Sequence, residues 1–98
     1  MPLETKDLEG SDLAVYTAEW CSDCRRLKRW LDEAGVDYRA VDIEAEPAAA
    51  EKLERETGKR AIPFVLVNDS TWVRGYHVDR PGRFDPRLLI DELRAATD

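Results

Sequence analysis

The chain has very few of the residues that build disulfide-rich or metal-stapled proteins. It has two cysteines, one histidine and one methionine. A structural zinc site needs four ligands, which this set cannot supply within one chain, so we expect no metal. The same count excludes a framework of several disulfides.

Long hydrophobic runs and an excess of positive charge are also absent. The longest apolar run, from Ala61 to Val67, is far too short to cross a bilayer. The segment from Met1 to Asp7 is charged and lacks the apolar stretch of a secretory signal. We therefore expect a cytoplasmic protein that does not act on membranes. The net charge of -6 disfavours nucleic acid as a partner, since phosphate binding needs a positive surface.

What is present is the composition of one ordinary globular domain. Hydrophobic residues make up 43% of the chain and charged residues 37%, and 98 residues can bury one modest core. Residues 1–10 are polar and end at Gly10, which predicts a loose leader. The rest, residues 11–98, is predicted to form a single domain, which we expect to be a monomer.

The spacing of apolar residues predicts the element order β-α-β-α-β-β-α. Strands are predicted at 13–17, 36–43, 64–67 and 71–74, and helices at about 21–34, at 47–57 and from 86 onward. The first two strands should be parallel, because a helix crosses between them, and the last two should form an antiparallel hairpin. The predicted fold class is α/β, with a four-stranded mixed sheet, three helices and the third strand central.

The only two cysteines are separated by two residues, and the first of them directly follows Trp20. The run Cys21-Ser22-Asp23-Cys24 connects a predicted strand to a predicted helix. This pattern is typical of a thiol–disulfide oxidoreductase, because one helical turn brings the sulfurs close enough to form and break a disulfide. Helical spacing places Cys24 on the buried stripe, so we predict Cys21 as an exposed nucleophile and Cys24 as the resolving thiol.

Two arginines directly after the cysteines have two open interpretations. Arg25 and Arg26 lie in the first turns of the predicted helix, where the macrodipole disfavours cations. They either lower the pKa of the Cys21 thiol and attract an acidic partner, or form a solvated face paired with Asp32 and Glu33. Both remain possible from the sequence.

Two loops further along hold other candidate residues. Pro63 cannot donate to a strand ladder, so it should mark a strand start. A cis bond before it would expose the backbone of Ile62 to an extended substrate, whereas a trans bond would be only a strand start. Gly75 indicates a positive φ or a close backbone approach. His77, a lone loop histidine, is expected to be exposed and without a role. Trp20, directly before the first cysteine, either shields the nucleophile or forms part of the docking surface, or else packs in the core.

Together these residues resemble the glutaredoxin family of the thioredoxin-like superfamily. The resemblance covers nearly the whole chain after residue 11 and rests on Trp20-Cys21-x-x-Cys24, on Ala61-Ile62-Pro63-Phe64-Val65 and on Gly75. It implies a three-layer thioredoxin-like fold with a cis bond before Pro63. It also implies an enzyme that reduces disulfide-containing proteins or mixed disulfides with no bound cofactor. The implied substrate-binding residues are Trp20, Ile62, Pro63, Gly75 and Tyr76.

The electron donor divides this family. Members that use glutathione carry a lysine shortly before the first cysteine and a Gly-Gly-x-Asp signature, where this chain has Ala18 and Tyr76. The run from Trp72 to Tyr76 resembles the NrdH-redoxins, which take electrons from thioredoxin reductase and reduce ribonucleotide reductase. The first helix and the runs 42–44 and 48–50 resemble mycoredoxins, which resolve mixed disulfides with mycothiol. We therefore expect electrons from thioredoxin reductase or from a low-molecular-weight thiol.

Two alternatives to a reductase remain open. One is a non-catalytic thioredoxin-like binding module, against which the presence of both cysteines argues. The other is an iron–sulfur carrier that binds a cluster across a dimer through the first cysteine and glutathione. The missing glutathione signature disfavours that second alternative.

Overall fold

The described residues form strands and helices in the predicted order. A computed structural model describes Leu8 and residues 10–97. The strands are β1 (Leu13–Thr17), β2 (Arg39–Asp42), β3 (Phe64–Val67) and β4 (Thr71–Arg74), and the helices are α1 (Ser22–Glu33), α2 (Pro47–Thr57) and α3 (Pro86–Thr97). A short 3-10 turn, Pro81–Arg83, precedes α3. No helix in the described part of the chain combines the length and hydropathy needed to span a bilayer.

The four strands form one mixed sheet in the order β2-β1-β3-β4. β1 pairs in parallel with β2 and antiparallel with β3, and β3 and β4 form an antiparallel hairpin. The predicted four-stranded mixed sheet, its strand directions and the central place of β3 are confirmed.

Alternating side chains of the central strands reach two separate hydrophobic clusters. Val15 of β1 packs with Leu27 of α1 and Leu89 of α3 on one face of the sheet. Its neighbour Tyr16 packs with Leu53 of α2 on the other face. Since successive side chains of a strand point to opposite faces, the result is three layers, with α1 and α3 on one side and α2 on the other.

Local residue chemistry sets the ends of α2 and α3. Pro47 begins α2, a position at which a backbone N–H would have no acceptor within the helix, so proline loses no hydrogen bond there. Gly58 ends the helix with a left-handed φ of 77°. Asp85 caps α3: its Oδ1 accepts the backbone N–H groups of Arg87 at 3.1 Å and Leu88 at 3.2 Å. These boundaries agree with the sequence prediction.

The second strand is shorter than predicted. The strand was predicted at 36–43, whereas β2 comprises only Arg39–Asp42. Val36 is buried, but its N–H donates to the carbonyl of Leu31 at 2.9 Å and so closes α1 instead of entering the sheet. Ala40, whose apolar side chain in a strand would be expected to be buried, is exposed because β2 is an edge strand.

Most of the predicted leader, residues 1–7 and Glu9, lies outside the described residues. Within the leader, the structure describes Leu8, whose side chain is 4% exposed and packs into the α1–α3 cluster. The N–H of Ser11 donates to the carbonyl of Leu8 at 3.2 Å. The packing of this face therefore includes a residue that the sequence assigned to the leader.

A carboxylate on α2 connects this helix to β4. Glu56 Oε2 accepts from Lys52 Nζ at 2.8 Å, and its Oε1 accepts from the indole Nε1 of Trp72 at 2.9 Å. The hydrogen bond from Lys52, and then that from Trp72, lowers the pKa of Glu56. A carboxyl with a lowered pKa stabilises the fold above its unfolded pKa and loses that contribution as the pH falls.

The Glu56→Gln variant is therefore expected to lose less stability in acid than the wild type. The urea midpoint of each protein would be measured from about pH 7 down to about pH 3. We expect the two midpoints to converge as the pH falls, because protonation removes the charged bonds of Glu56 in the wild type. A constant difference at every pH would contradict this role of the carboxylate.

Candidate active site

Cys21 and Cys24 lie at disulfide distance at the start of α1, with their Cα atoms 5.2 Å apart. Cys21 is the N-cap residue of the helix, and its Sγ accepts the backbone N–H of Cys24 at 3.2 Å. The N-terminus of a helix offers unpaired N–H groups and the positive end of the macrodipole. Both features favour a sulfur anion at Cys21.

The exposure of the two sulfur-bearing residues corrects one expectation. Cys24 is fully buried, as its place on the helical stripe predicted, but Cys21 is only 6% exposed. The expectation of an exposed Cys21 was wrong, because the residue caps the helix and its sulfur accepts a hydrogen bond from the first turn. The order of accessibility agrees with the predicted roles.

Cys21 lines an open groove of about 450 Å³. Three separate segments of the chain form this groove, and the residues that line it are Trp20, Cys21, Ser22 and Asp23, then Arg60, Ala61 and Ile62, and finally Tyr76 and Arg83. We call this the redox groove. Its open shape suits a segment of polypeptide better than an enclosed small molecule.

Two of the predicted substrate-binding residues, Pro63 and Gly75, are not among those that line the redox groove, but each is a chain neighbour of one that does. The peptide bond between Ile62 and Pro63 is cis, as the family resemblance implied. Pro63 is buried, and its carbonyl accepts the N–H of Gly75 at 2.9 Å. A Cβ atom on Gly75 would lie 2.6 Å from Leu27 Cδ2 and 3.1 Å from Pro63 Cγ. Of the two interpretations of Gly75, the close backbone approach is therefore confirmed.

The other three predicted substrate-binding residues line the groove. Trp20 is 65% exposed, which contradicts packing in the core and fits a docking surface. Ile62 and Tyr76 are half-buried. The guanidinium carbons of Arg74 and Arg83 lie 5.2 Å and 5.4 Å from the centre of the Tyr76 ring, within cation–π distance. Binding of substrate by these residues stays a prediction.

The two arginines after Cys24 have partners that the sequence did not indicate. Arg25 Nη1 donates to the carbonyl of Glu19 at 2.6 Å. Arg26 Nη1 donates to Asp23 Oδ1 at 3.2 Å and also to the carbonyl of Gly82. Both guanidiniums therefore support the segments around the cysteines. Their predicted effect on the thiol pKa stays a prediction.

His77 is neither exposed nor without a role. Its side chain is 8% exposed, its Nδ1 accepts the N–H of Asp85 at 3.1 Å, and its Nε2 lies 2.8 Å from Glu92 Oε1. Since Nδ1 accepts, Nε2 carries the proton and donates to Glu92. His77 thus connects its loop to α3, through the capping residue Asp85 and through Glu92 within the helix. Across Leu8 and residues 10–97, no group of three or more His, Cys, Asp or Glu side chains is arranged to hold a metal ion.

Sequence reasoning missed several residues of the groove. Arg60 and Ala61 directly precede Ile62, so their place in the chain was a usable signal. Arg83 comes from a distant loop, and no motif marks it. Asp23 lies within the cysteine motif, but its contact with this loop has no sequence signal: its Oδ2 accepts from Arg83 Nε at 3.1 Å.

Comparison with known proteins finds one matching family and fold. Residues 13–72 match the family model described as glutaredoxin. The chain is 32% identical over 74 residues to the glutaredoxin-like protein NrdH of Escherichia coli (strain K12), covering 76% of this chain and 89% of that protein.

Solved structures agree with these matches. The structure of the glutaredoxin-like protein NrdH-redoxin from Escherichia coli aligns with a TM-score of 0.59 at 29% identity, covering 76% of this chain and 96% of that one. A glutaredoxin from Archaeoglobus fulgidus aligns with a TM-score of 0.58 at 25% identity, covering 79% and 89%. The implied thioredoxin-like fold of the glutaredoxin type is thereby confirmed.

Proposed function

We propose that this chain, which belongs to the glutaredoxin family and is a thiol–disulfide oxidoreductase, uses Cys21 as its nucleophile and Cys24 as its resolving thiol. One observation carries the assignment: Cys21 caps α1 and lines the redox groove, whereas Cys24 is fully buried one turn further along. A substrate sulfur can therefore approach Cys21 without contacting Cys24.

The proposed reaction has two exchange steps. The Cys21 thiolate attacks one sulfur of the substrate disulfide, which breaks the substrate S–S bond and releases one substrate thiolate. The Cys24 thiolate then attacks Cys21 Sγ, which breaks the mixed disulfide and releases the second substrate thiolate. Two electrons have passed to the substrate, the leaving thiolates take up protons, and the enzyme holds the disulfide between its own cysteines.

The helix start supplies the electrostatics of the first step. The thiolate is the reactive form, and the N–H of Cys24 already donates to Cys21 Sγ. No bound cofactor is needed, because the two sulfurs carry the electrons. The substrates we propose are disulfide-containing proteins or mixed disulfides, which contact Trp20, Ile62 and Tyr76 along the redox groove.

We infer that thioredoxin reductase restores the dithiol. Ala18 and Tyr76 replace the lysine and glycine of glutathione-using members, which argues against a glutathione site. The NrdH-redoxin of Escherichia coli, to which this chain is similar, is described as having a thioredoxin-like activity profile. A low-molecular-weight thiol is the alternative donor. The cytoplasm, where reductases keep thiols reduced, is the proposed site of action.

A two-arm assay tests the donor. Reduction of a model disulfide is followed by NADPH consumption, once with thioredoxin reductase and once with glutathione or mycothiol and the corresponding reductase. We expect turnover in the first arm and little above the enzyme-free rate in the second. Turnover only in the second arm would overturn the inferred donor. The proposed function would be overturned if neither arm showed turnover and if, in addition, a disulfide could not oxidise the reduced protein.

A further inference from the structure

One wall of the redox groove is a loop that closes on itself. Residues 76–83, here called the strap, connect β4 to the segment before α3. The N–H of His77 donates to the carbonyl of Arg83 at 2.7 Å, and the N–H of Arg83 donates to the carbonyl of Arg80 at 2.9 Å. Gly82 and Arg83 both adopt a left-handed φ, of 66° and 61°. Two such residues in succession turn the chain sharply at the end of the strap.

The carboxylate of Asp23 joins the strap to the cysteine motif. Its Oδ2 accepts from Arg83 Nε at 3.1 Å, and its Oδ1 accepts from Arg26 Nη1 at 3.2 Å. Arg26 also donates to the backbone carbonyl of Gly82. The Asp23 side chain is only 18% exposed, against 53% for Arg83, so the carboxylate is the more buried partner of this ion pair. The strap is thus fastened to α1 between the two cysteines.

Arg83 also contacts Tyr76, a residue of the surface that a substrate would touch. The guanidinium carbon of Arg83 lies 5.4 Å from the centre of the Tyr76 ring. Tyr76 and Arg83 form one side of the redox groove, and Ile62 lies in the segment that forms another part. Asp23 is therefore connected to Tyr76 through Arg83, although the two residues are far apart in sequence.

We propose that Asp23 is a positioning residue that fixes the strap as a wall of the redox groove and thereby favours extended polypeptide disulfides over small ones. An extended chain would contact both sides of the groove beside Cys21, so it gains from a fixed wall. A small disulfide needs to reach only the sulfur, so it gains little. The inference rests on the proposed function, because it takes Cys21 as the attacking sulfur.

A single-turnover experiment tests this without any electron donor. Fully reduced protein is mixed with a short peptide disulfide or with bis(2-hydroxyethyl) disulfide, and tryptophan fluorescence reports oxidation, since the exposed Trp20 adjoins Cys21. The variants are Asp23→Asn, Arg83→Gln and the double variant. Arg87→Gln, which alters an exposed arginine on α3 outside the groove, is the matched control.

We expect each single variant to lower the rate constant for the peptide by about fivefold and to leave the small disulfide within about twofold. The double variant should lose no more than either single one, because both remove the same contact. The reduction potential of Arg83→Gln should equal that of the wild type.

Three results would overturn the proposal. Equal changes for both substrates in Asp23→Asn would mean that this carboxylate acts on the thiol itself. A wild-type peptide rate in Arg83→Gln would mean that the strap does not contribute. Additive losses in the double variant would mean that the two residues act separately. If reduced wild-type protein reacts with neither disulfide, the proposed function fails as well.

Discussion

Replacing Cys21 with serine is expected to abolish disulfide reduction, with a loss of about a thousandfold or more in kcat/KM. A serine hydroxyl stays protonated at neutral pH and cannot form the mixed disulfide. Serine is a good N-cap residue, so Cys21→Ser should keep the start of α1 intact. The measurement is turnover of a model disulfide, with circular dichroism to check the fold.

Cys24→Ser is the matched control, because it removes the resolving sulfur and leaves the attacking one. This variant should form a stable adduct with the substrate thiol, detected by intact mass spectrometry as one covalent addition. Adduct formation by Cys21→Ser but not by Cys24→Ser would reverse the assigned roles. Retained turnover in Cys21→Ser would show that this cysteine is not the nucleophile.

Placing valine at Gly75 is expected to lower the free energy of unfolding by about 3 kcal/mol. The first carbon of a side chain there would lie 2.6 Å from Leu27 Cδ2 and 3.2 Å from the carbonyl oxygen of Pro63. Leu27 and Pro63 are both fully buried, so neither side chain has space to move freely. Urea unfolding measures the loss, and we expect reductase activity to fall with it as Pro63 is displaced.

A double variant separates crowding from other causes. Leu27→Val removes one of the atoms that a residue at 75 would meet, so its combination with Gly75→Ala should cost less than the sum of the single changes. Strict additivity would show that Leu27 is not the residue that excludes a side chain. Unchanged stability in Gly75→Val would contradict the close approach altogether.

The fold was largely predictable because its elements carry local signals. The run Phe64–Val67 is continuously apolar and forms a central strand, and Pro47 with Gly58 bounds α2. The predictions that were wrong concern residues whose place is determined by tertiary contacts and not by local sequence. Val36 has the apolar character of a strand residue, yet its N–H closes the preceding helix. The burial of Leu8 also depends on a surface that only the folded chain presents.

The candidate site was predictable only in part. A cysteine pair at a strand-to-helix junction marks its own chemistry, and Trp20 and Ile62 lie near known motifs. The partners of charged side chains follow no such rule, because they depend on which distant segments the folded chain brings together. Arg83 meets Asp23 across a sequence distance of 60 residues, which no spacing pattern indicates.

The short second strand has a consequence for behaviour at high concentration. β2 lies at the edge of the sheet with only four residues, begins with the exposed Arg39 and ends with Asp42. Arg39 also forms a two-point ion pair with Asp12, through contacts of 3.0 Å and 2.9 Å. A brief, charged edge is a poor template for another strand, so it resists the strand-to-strand association that leads to aggregation. The shortness of this strand therefore protects from aggregation a small protein that presents an exposed tryptophan beside its reactive sulfur.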